Sequence, residues 1–245
     1  MSFIQVDLFS GLEGWRSPDA VAYVGIDNDP KFEADIIQDI RRLSWDCFLD
    51  MNRYYRESAG IAFSEQWGKH DLLVTGSPVC TGFTVMQIGR NWDKCPDTGI
   101  LTPKTETAKL GIELLEACIR LIREFETYYP GEVFWVFENP RAAMRKMPHV
   151  QDLYRRVVTW CQYPEGRKIQ TMKPTDLWVS DNLEALSRYW WREPCKKGAS
   201  CHVAAPRGSY SGTQGMDKAE AAKIPSELSS AIARAILYRV SLDGY

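Results

Sequence analysis

Residues 71–84 read DLLVTGSPVCTGFT. The apolar run Leu72–Val74 predicts a buried strand. Gly76, Pro78 and Gly82 then predict a sharp turn that presents one thiol, Cys80. Open α/β sheets gather their ligands and reacting groups where strands end. Cys80 is therefore either a nucleophile placed at a strand end or one of the many free cysteines that merely fill a core.

Working outward, the same punctuation recurs. FIQVDLF (3–9) is a strand candidate ending in a glycine turn, AVAYVGID (20–27) is a second that closes on an acid, and EADIIQDI (33–40) is a shorter third. Downstream, residues 105–129 carry Leu110, Ile112, Leu114, Leu115, Cys118, Ile119, Leu121 and Ile122 at helical spacing, with Thr105 as the N-cap. EVFWVFENP (132–140) is another buried strand that ends in polar residues. Strands rich in Val and Ile alternating with helix predict an α/β fold with a mostly parallel sheet covered on both faces. Past residue 160, TWCQY and TDLWVS are two further strand candidates. IPSELSSAIARAILYRV is a closing amphipathic helix with Pro225 in its first turn. We divide the chain into a catalytic domain, 1–181 with 216–245, and a small irregular insert, 182–215.

The 245 residues contain no apolar run long enough to span a bilayer, and the start lacks a basic stretch ahead of an apolar one. The expectation is a soluble cytoplasmic protein with no membrane partner. Seven cysteines without framework-like spacing predict reduced thiols, open to metal binding or catalysis. The net charge of −2 conceals an asymmetry, because basic residues outnumber acidic ones 15 to 8 between Arg141 and Lys223. That half either faces a polyanion or is an ordinary solvated surface.

Several residues are placed for chemistry. The glycines of DLFSGLEGW (7–15) bring backbone N–H groups close to an anionic ligand or serve a tight turn only. Asp27 ends the second strand, where an acid can accept from ribose hydroxyls, and Asp39 ends the third, beside the place of a base-like ring. Each is equally a solvated strand-end carboxylate. Cys80 and Glu138, both after apolar strands, would meet at the carboxyl edge of the sheet as nucleophile and proton donor.

In order along the chain, DLFSGLEGW, IDNDP, QDI, GSPVCTGF, FENP and IPSELSSAIARAI resemble the ordered motifs of cytosine-5 DNA methyltransferases, and nearly the whole chain looks like the short bacteriophage versions. The resemblance implies a Rossmann-like S-adenosylmethionine-dependent methyltransferase fold and DNA as partner. It places Phe9 and Gly11 by the cofactor, Asp27 on the ribose, Asp39 near the adenine amine and Pro78 packed beside the cofactor. Cys80 and Glu138 are then catalytic, and Arg167 supports a flipped base, with Lys173 as second candidate. If the chain is phage-encoded, its place is the host cytoplasm.

The chain departs from the family pattern in three ways. Glu13 stands where the family usually has glycine, the stretch after Trp15 leaves room for a turn or two of helix at most, and Pro-Val-Cys replaces Pro-Pro-Cys. Cys195, Cys201 and His202, with Cys161, form a candidate zinc set, although their spacing is not that of a standard finger. Two alternatives remain open: the same chemistry on RNA, and a catalytically weak DNA-binding or cofactor-binding protein that retains the fold.

Overall fold

A computed structural model of the chain describes residues 1–50, 67–164, 171–203 and 221–242. Its centre is a seven-stranded sheet in the order β3-β2-β1-β4-β7-β9-β8. The strands are β1 (Phe3–Leu8), β2 (Ala22–Asp27), β3 (Ile36–Ile37), β4 (Asp71–Gly76), β7 (Val133–Pro140), β8 (Tyr154–Thr159) and β9 (Pro174–Val179). The strands from β3 through β7 run parallel, β9 is antiparallel to β7, and β8 is antiparallel to β9. A separate hairpin pairs β5 (Trp92–Lys94) with β6 (Leu101–Pro103). This is the Rossmann-like α/β fold that the sequence predicts.

Strand periodicity decides which core each residue enters, because successive side chains point to opposite faces. Val133, Trp135 and Phe137 enter one core with Leu72 and Val74, under the long helix α1 (Glu106–Tyr128). Phe134 and Val136 enter the other with Leu177 and Val179, under the closing helix α2 (Ser226–Leu242). Helix α1 starts where expected, with the Thr105 hydroxyl accepting from the Ala108 N–H at 3.3 Å. No described helix is long and apolar enough to cross a membrane.

Between β1 and β2 the chain forms turns and no helix. Gln5, buried in β1, anchors this stretch: its amide donates to the Trp15 carbonyl at 2.8 Å and accepts from the Ser17 N–H at 2.9 Å. At Gly14 a Cβ would lie 2.7 Å from the Ile224 backbone nitrogen, so the turn packs directly onto the chain leading into α2.

Three expectations need correction. The strand expected over TWCQY lies earlier, at Tyr154–Thr159, and Trp160–Gln162 form a short helical turn. The aromatics of TWCQY are buried in that turn, whereas β8 lies on the sheet edge and begins with exposed Tyr154 and Arg155, which masked its apolar pattern. The third strand shrinks to Ile36–Ile37, because Asp39 caps a helical turn over Ile40–Arg42 instead of extending it. Within 182–215, residues up to Trp190 are not irregular. Short helices Asp181–Ala185 and Ser187–Trp190 bury Leu183, Leu186 and Trp190 in the α2-side core. Residues 204–215 lie outside the described residues.

Candidate active site

The loop after β1 is held in a conformation that side chains normally avoid. Phe9, Gly11 and Glu13 all have positive φ, at 63°, 46° and 52°. For Phe9 and Glu13 this carries strain of about 1–3 kcal/mol each, which persists only where the surroundings enforce it. Glu13 thus adopts a backbone conformation that glycine favours, and its carboxylate pairs with Arg16 at 2.9 Å. Asp27 holds the middle of this loop at Gly11. One carboxylate oxygen accepts from the Gly11 N–H at 3.0 Å and the other from the Asp29 N–H at 2.9 Å.

Next to this loop is a cleft of about 140 Å³, lined among others by Phe9, Asp27, Asp39, Val79, Leu110 and Leu114. Its mix of apolar walls with a few carboxylates is the kind of lining small-molecule sites have. Asp39 is engaged by Arg41, whose guanidinium donates at 2.6 Å and holds the carboxyl below its usual range. Arg41 also reaches Glu113 on α1 at 2.6 Å, so the acid and the helix are tied across the cleft rim. Pro78 is buried, and Val79 is the residue of that turn that lines the cleft.

Cys80 begins a helical turn, Cys80–Gly82, directly after β4. Close packing fixes that turn. A Cβ at Gly82 would sit 2.9 Å from the Thr107 carbonyl, and the Trp92 indole donates to the Gly82 carbonyl at 2.7 Å. From the neighbouring strand β7, Asn139 donates to the Pro78 carbonyl at 2.8 Å and locks the two strand ends together. Glu138, 5% exposed, interacts electrostatically with the thiol. Burial, then the Glu138 carboxylate, push the Cys80 thiol up, and Lys173 opposes them. Burial likewise raises Glu138, against Lys173 and a hydrogen bond to Ser77. A proton is therefore retained on both groups further up the pH scale than in water.

Glu138 Oε2 and Asn139 Oδ1 are buried without a hydrogen-bond partner among the described residues. Buried polar atoms are nearly always paired, so an unsatisfied carboxyl oxygen beside a thiol marks a place for a ligand donor.

The structure brings Phe9, Gly11, Asp27 and Asp39 to one side of the carboxyl edge, and Cys80 and Glu138 to the adjacent strand ends. Arg167 lies outside the described residues. Lys173, the second candidate for its role, is buried at the start of β9; its ammonium donates to the Ala221 carbonyl at 2.6 Å and lies 3.5 Å from the Trp160 ring centroid. Sequence reading did not single out Asp7, Ser77 or the Arg145–Asp176 pair. Asp7 lies inside β1, and burial pushes its carboxyl up to about 7 against donation from Thr75 and Tyr23. Only the polar letter within an apolar run signalled it. Cys161, Cys195, Cys201 and His202 also converge, at the carboxyl end of β8.

No protein-family model matches the sequence, and no curated relative matches it. Among solved structures, the chain is similar to the S. pombe Dnmt2 methyltransferase at 13% identity and a TM-score of 0.43. The match covers 73% of this chain and 49% of that one, so the chain spans about half that protein's length.

Proposed function

We propose that this chain transfers a methyl group from S-adenosylmethionine to carbon 5 of cytosine in DNA. The observation that carries this reading is the strand-end thiol of Cys80 beside the buried, half-satisfied carboxyl of Glu138, on the same sheet edge as the Asp27 cleft.

The residues of the cleft fit the cofactor. Asp27 offers ribose hydroxyls the lone pairs that Gly11 and Asp29 leave over, Phe9, Leu110 and Leu114 give apolar walls, and Asp39 supplies an acceptor toward the rim. Bound there, S-adenosylmethionine supplies an electrophilic methyl group. Carbon 5 of cytosine is too weak a nucleophile to take it unaided. The Cys80 thiolate adds its electron pair to carbon 6 and breaks the carbon 5–carbon 6 π bond, so the ring becomes an electron-rich enamine. Glu138 gives a proton to ring nitrogen 3, which prevents charge building up as sulfur adds. The Lys173 ammonium favours the thiolate. After alkylation, solvent water takes the carbon 5 proton, whose electron pair re-forms the double bond and expels the Cys80 thiolate, and ring nitrogen 3 returns its proton to the Glu138 carboxylate. A base stacked in a duplex exposes neither atom, so the reading requires the cytosine to be flipped out.

Purified protein, labelled S-adenosylmethionine and DNA of varied sequence should yield 5-methyldeoxycytidine after digestion to nucleosides. Label in RNA alone would move the substrate to RNA. No 5-substituted cytosine in either would leave a binding protein that keeps the fold.

Cofactor affinity should depend on Asp27. Asp27→Ala removes a side-chain oxygen acceptor and is expected to weaken S-adenosylmethionine binding by about 1.5–3 kcal/mol in a calorimetric titration. Because Asp27 also fixes the Gly11 loop, the melting temperature of the ligand-free variant should be read alongside. Unchanged affinity in a folded variant removes Asp27 from the site.

A further inference from the structure

The four ligand atoms of Cys161, Cys195, Cys201 and His202 lie within 4.8 Å of one another, and none of these residues takes part in the reaction proposed above. They come from two separate stretches. Cys161 sits in the helical turn that ends β8, and the other three lie in the irregular segment 191–203. Gly198, at φ 88°, lets the chain reverse between Cys195 and Cys201.

Three of their separations have the dimensions of a zinc tetrahedron. Zn–S bonds of about 2.3 Å and Zn–N bonds of about 2.0–2.1 Å, at tetrahedral angles, place two sulfurs about 3.8 Å apart and sulfur and nitrogen about 3.5 Å apart. The Cys201 and Cys161 sulfurs are 3.7 Å apart, and His202 Nδ1 is 3.5 Å from both Cys195 Sγ and Cys201 Sγ. The Cys161–Cys195 edge is shorter, at 2.9 Å, and is the edge an ion would widen. All three thiols are free.

We propose that Cys161, Cys195, Cys201 and His202 bind one structural zinc ion that fastens segment 191–203 to the carboxyl end of β8. Thiolate and imidazole are ligands zinc favours, and four protein ligands leave no position for a reacting water. The surroundings already orient the ligands. The Cys195 N–H donates to Thr159 Oγ1 at 2.9 Å, and the Gln162 amide approaches Cys201 Sγ at 3.8 Å. The chain ahead of Cys195 is held on β8 and the turn after it by direct hydrogen bonds, Trp191 Nε1 to the Val157 carbonyl at 2.9 Å and the Arg192 N–H to the Tyr163 hydroxyl at 3.0 Å. Beyond Cys195, metal bonds to Cys201 and His202 take over this function. Strand β8 is parallel to β7 with β9 between them, so the ion lies at the same sheet edge as Glu138. Trp160, next to Cys161, carries Lys173 on its ring, and exposed Lys196 and Lys197 are held by the same fastening.

The test reads metal, not methyl transfer, so its outcome is independent of the proposed reaction. Protein purified without chelator should contain about one zinc per chain. Cobalt(II) exchanged into it should show the ligand-field bands of a tetrahedral ion and thiolate-to-metal charge transfer. Cys201→Ser should bind zinc more than about 100-fold more weakly, beyond the usual cost of losing an outer-shell partner. His202→Cys should retain the ion, and Cys47→Ser, at an exposed cysteine, should match the wild type. Wild-type protein that holds no zinc and gives no cobalt spectrum overturns the proposal, whatever the variants do. So does a Cys161–Cys195 disulfide found by mass spectrometry, or zinc affinity unchanged in Cys201→Ser.

Discussion

Arg145→Ala is expected to lower the unfolding free energy by about 3–5 kcal/mol, a large share of the roughly 5–15 kcal/mol that keeps a domain folded. Asp176, fully buried on β9, is held by two hydrogen bonds from the Arg145 guanidinium, at 3.0 and 2.5 Å. Arg155 approaches only to 3.9 Å. Even with Arg145 in place, burial raises the Asp176 carboxyl, and Glu138 is an electrostatic neighbour. Without Arg145 the carboxyl rises further and holds a proton in the folded chain that the unfolded chain releases above about pH 4. Stability of the variant should therefore fall as pH rises from that value, so its deficit is largest near neutrality and shrinks toward acid. Denaturant titrations at several pH values check both the size and the slope. Arg145→Met combined with Asp176→Leu should recover most of the loss, because a buried pair replaced by apolar groups is often neutral. A single variant as stable as the wild type at neutral pH would show that Asp176 needs no cation.

How much of this was legible in the sequence depended on how many contacts a residue's role requires. The parallel strands were readable because burial on both faces leaves unbroken apolar runs, as in LLV and VFWVF, and Thr105 announced α1 through its own side chain. The places of Cys80 and Glu138 at the carboxyl edge were readable because each follows such a run. What hid were features made by tertiary pairing. Tyr154–Thr159 is a strand because β9 pairs with it, although its first half, Tyr-Arg-Arg, is polar and edge-exposed. Asp39 reads as a strand-end acid, and only the structure shows Arg41 occupying it. Nothing local to Asp176 identifies Arg145, 31 residues earlier, as its partner. The cysteine–histidine cluster was half legible. Composition named its members, but their spacing fits no standard pattern because Cys161 and the other three come from different sides of β9 in the sequence.

Cys80→Ser is expected to abolish turnover while leaving S-adenosylmethionine affinity intact, because serine at this position keeps the helical turn and differs mainly in acidity. A thiol ionises within a few pH units of neutrality and is intrinsically a strong nucleophile, whereas an alcohol is scarcely ionised there. Burial raises the Cys80 thiol, with Glu138 adding to it, and also raises the Glu138 carboxyl, and the reaction needs thiolate and protonated carboxyl together, so the wild-type rate should rise from acid pH, level off and fall again in alkali. Glu138→Gln keeps a hydrogen-bond donor but cannot give up a proton. It should cut kcat by about 10²–10⁴ with little change in cofactor affinity, the usual size of a general-acid contribution. Covalent trapping separates a nucleophile from a residue that only shapes the pocket. In DNA carrying 5-fluorocytosine, addition of Cys80 to carbon 6 and methyl transfer can proceed, but the last step must remove a proton from carbon 5 and finds fluorine there. The carbon 6–sulfur bond then persists, and wild-type protein should migrate with the DNA on a denaturing gel only when S-adenosylmethionine is present. The serine variant should give no adduct. An active wild type without an adduct, or a serine variant that retains substantial turnover, would show that the thiol after β4 is a packing group and that methyl transfer proceeds without it.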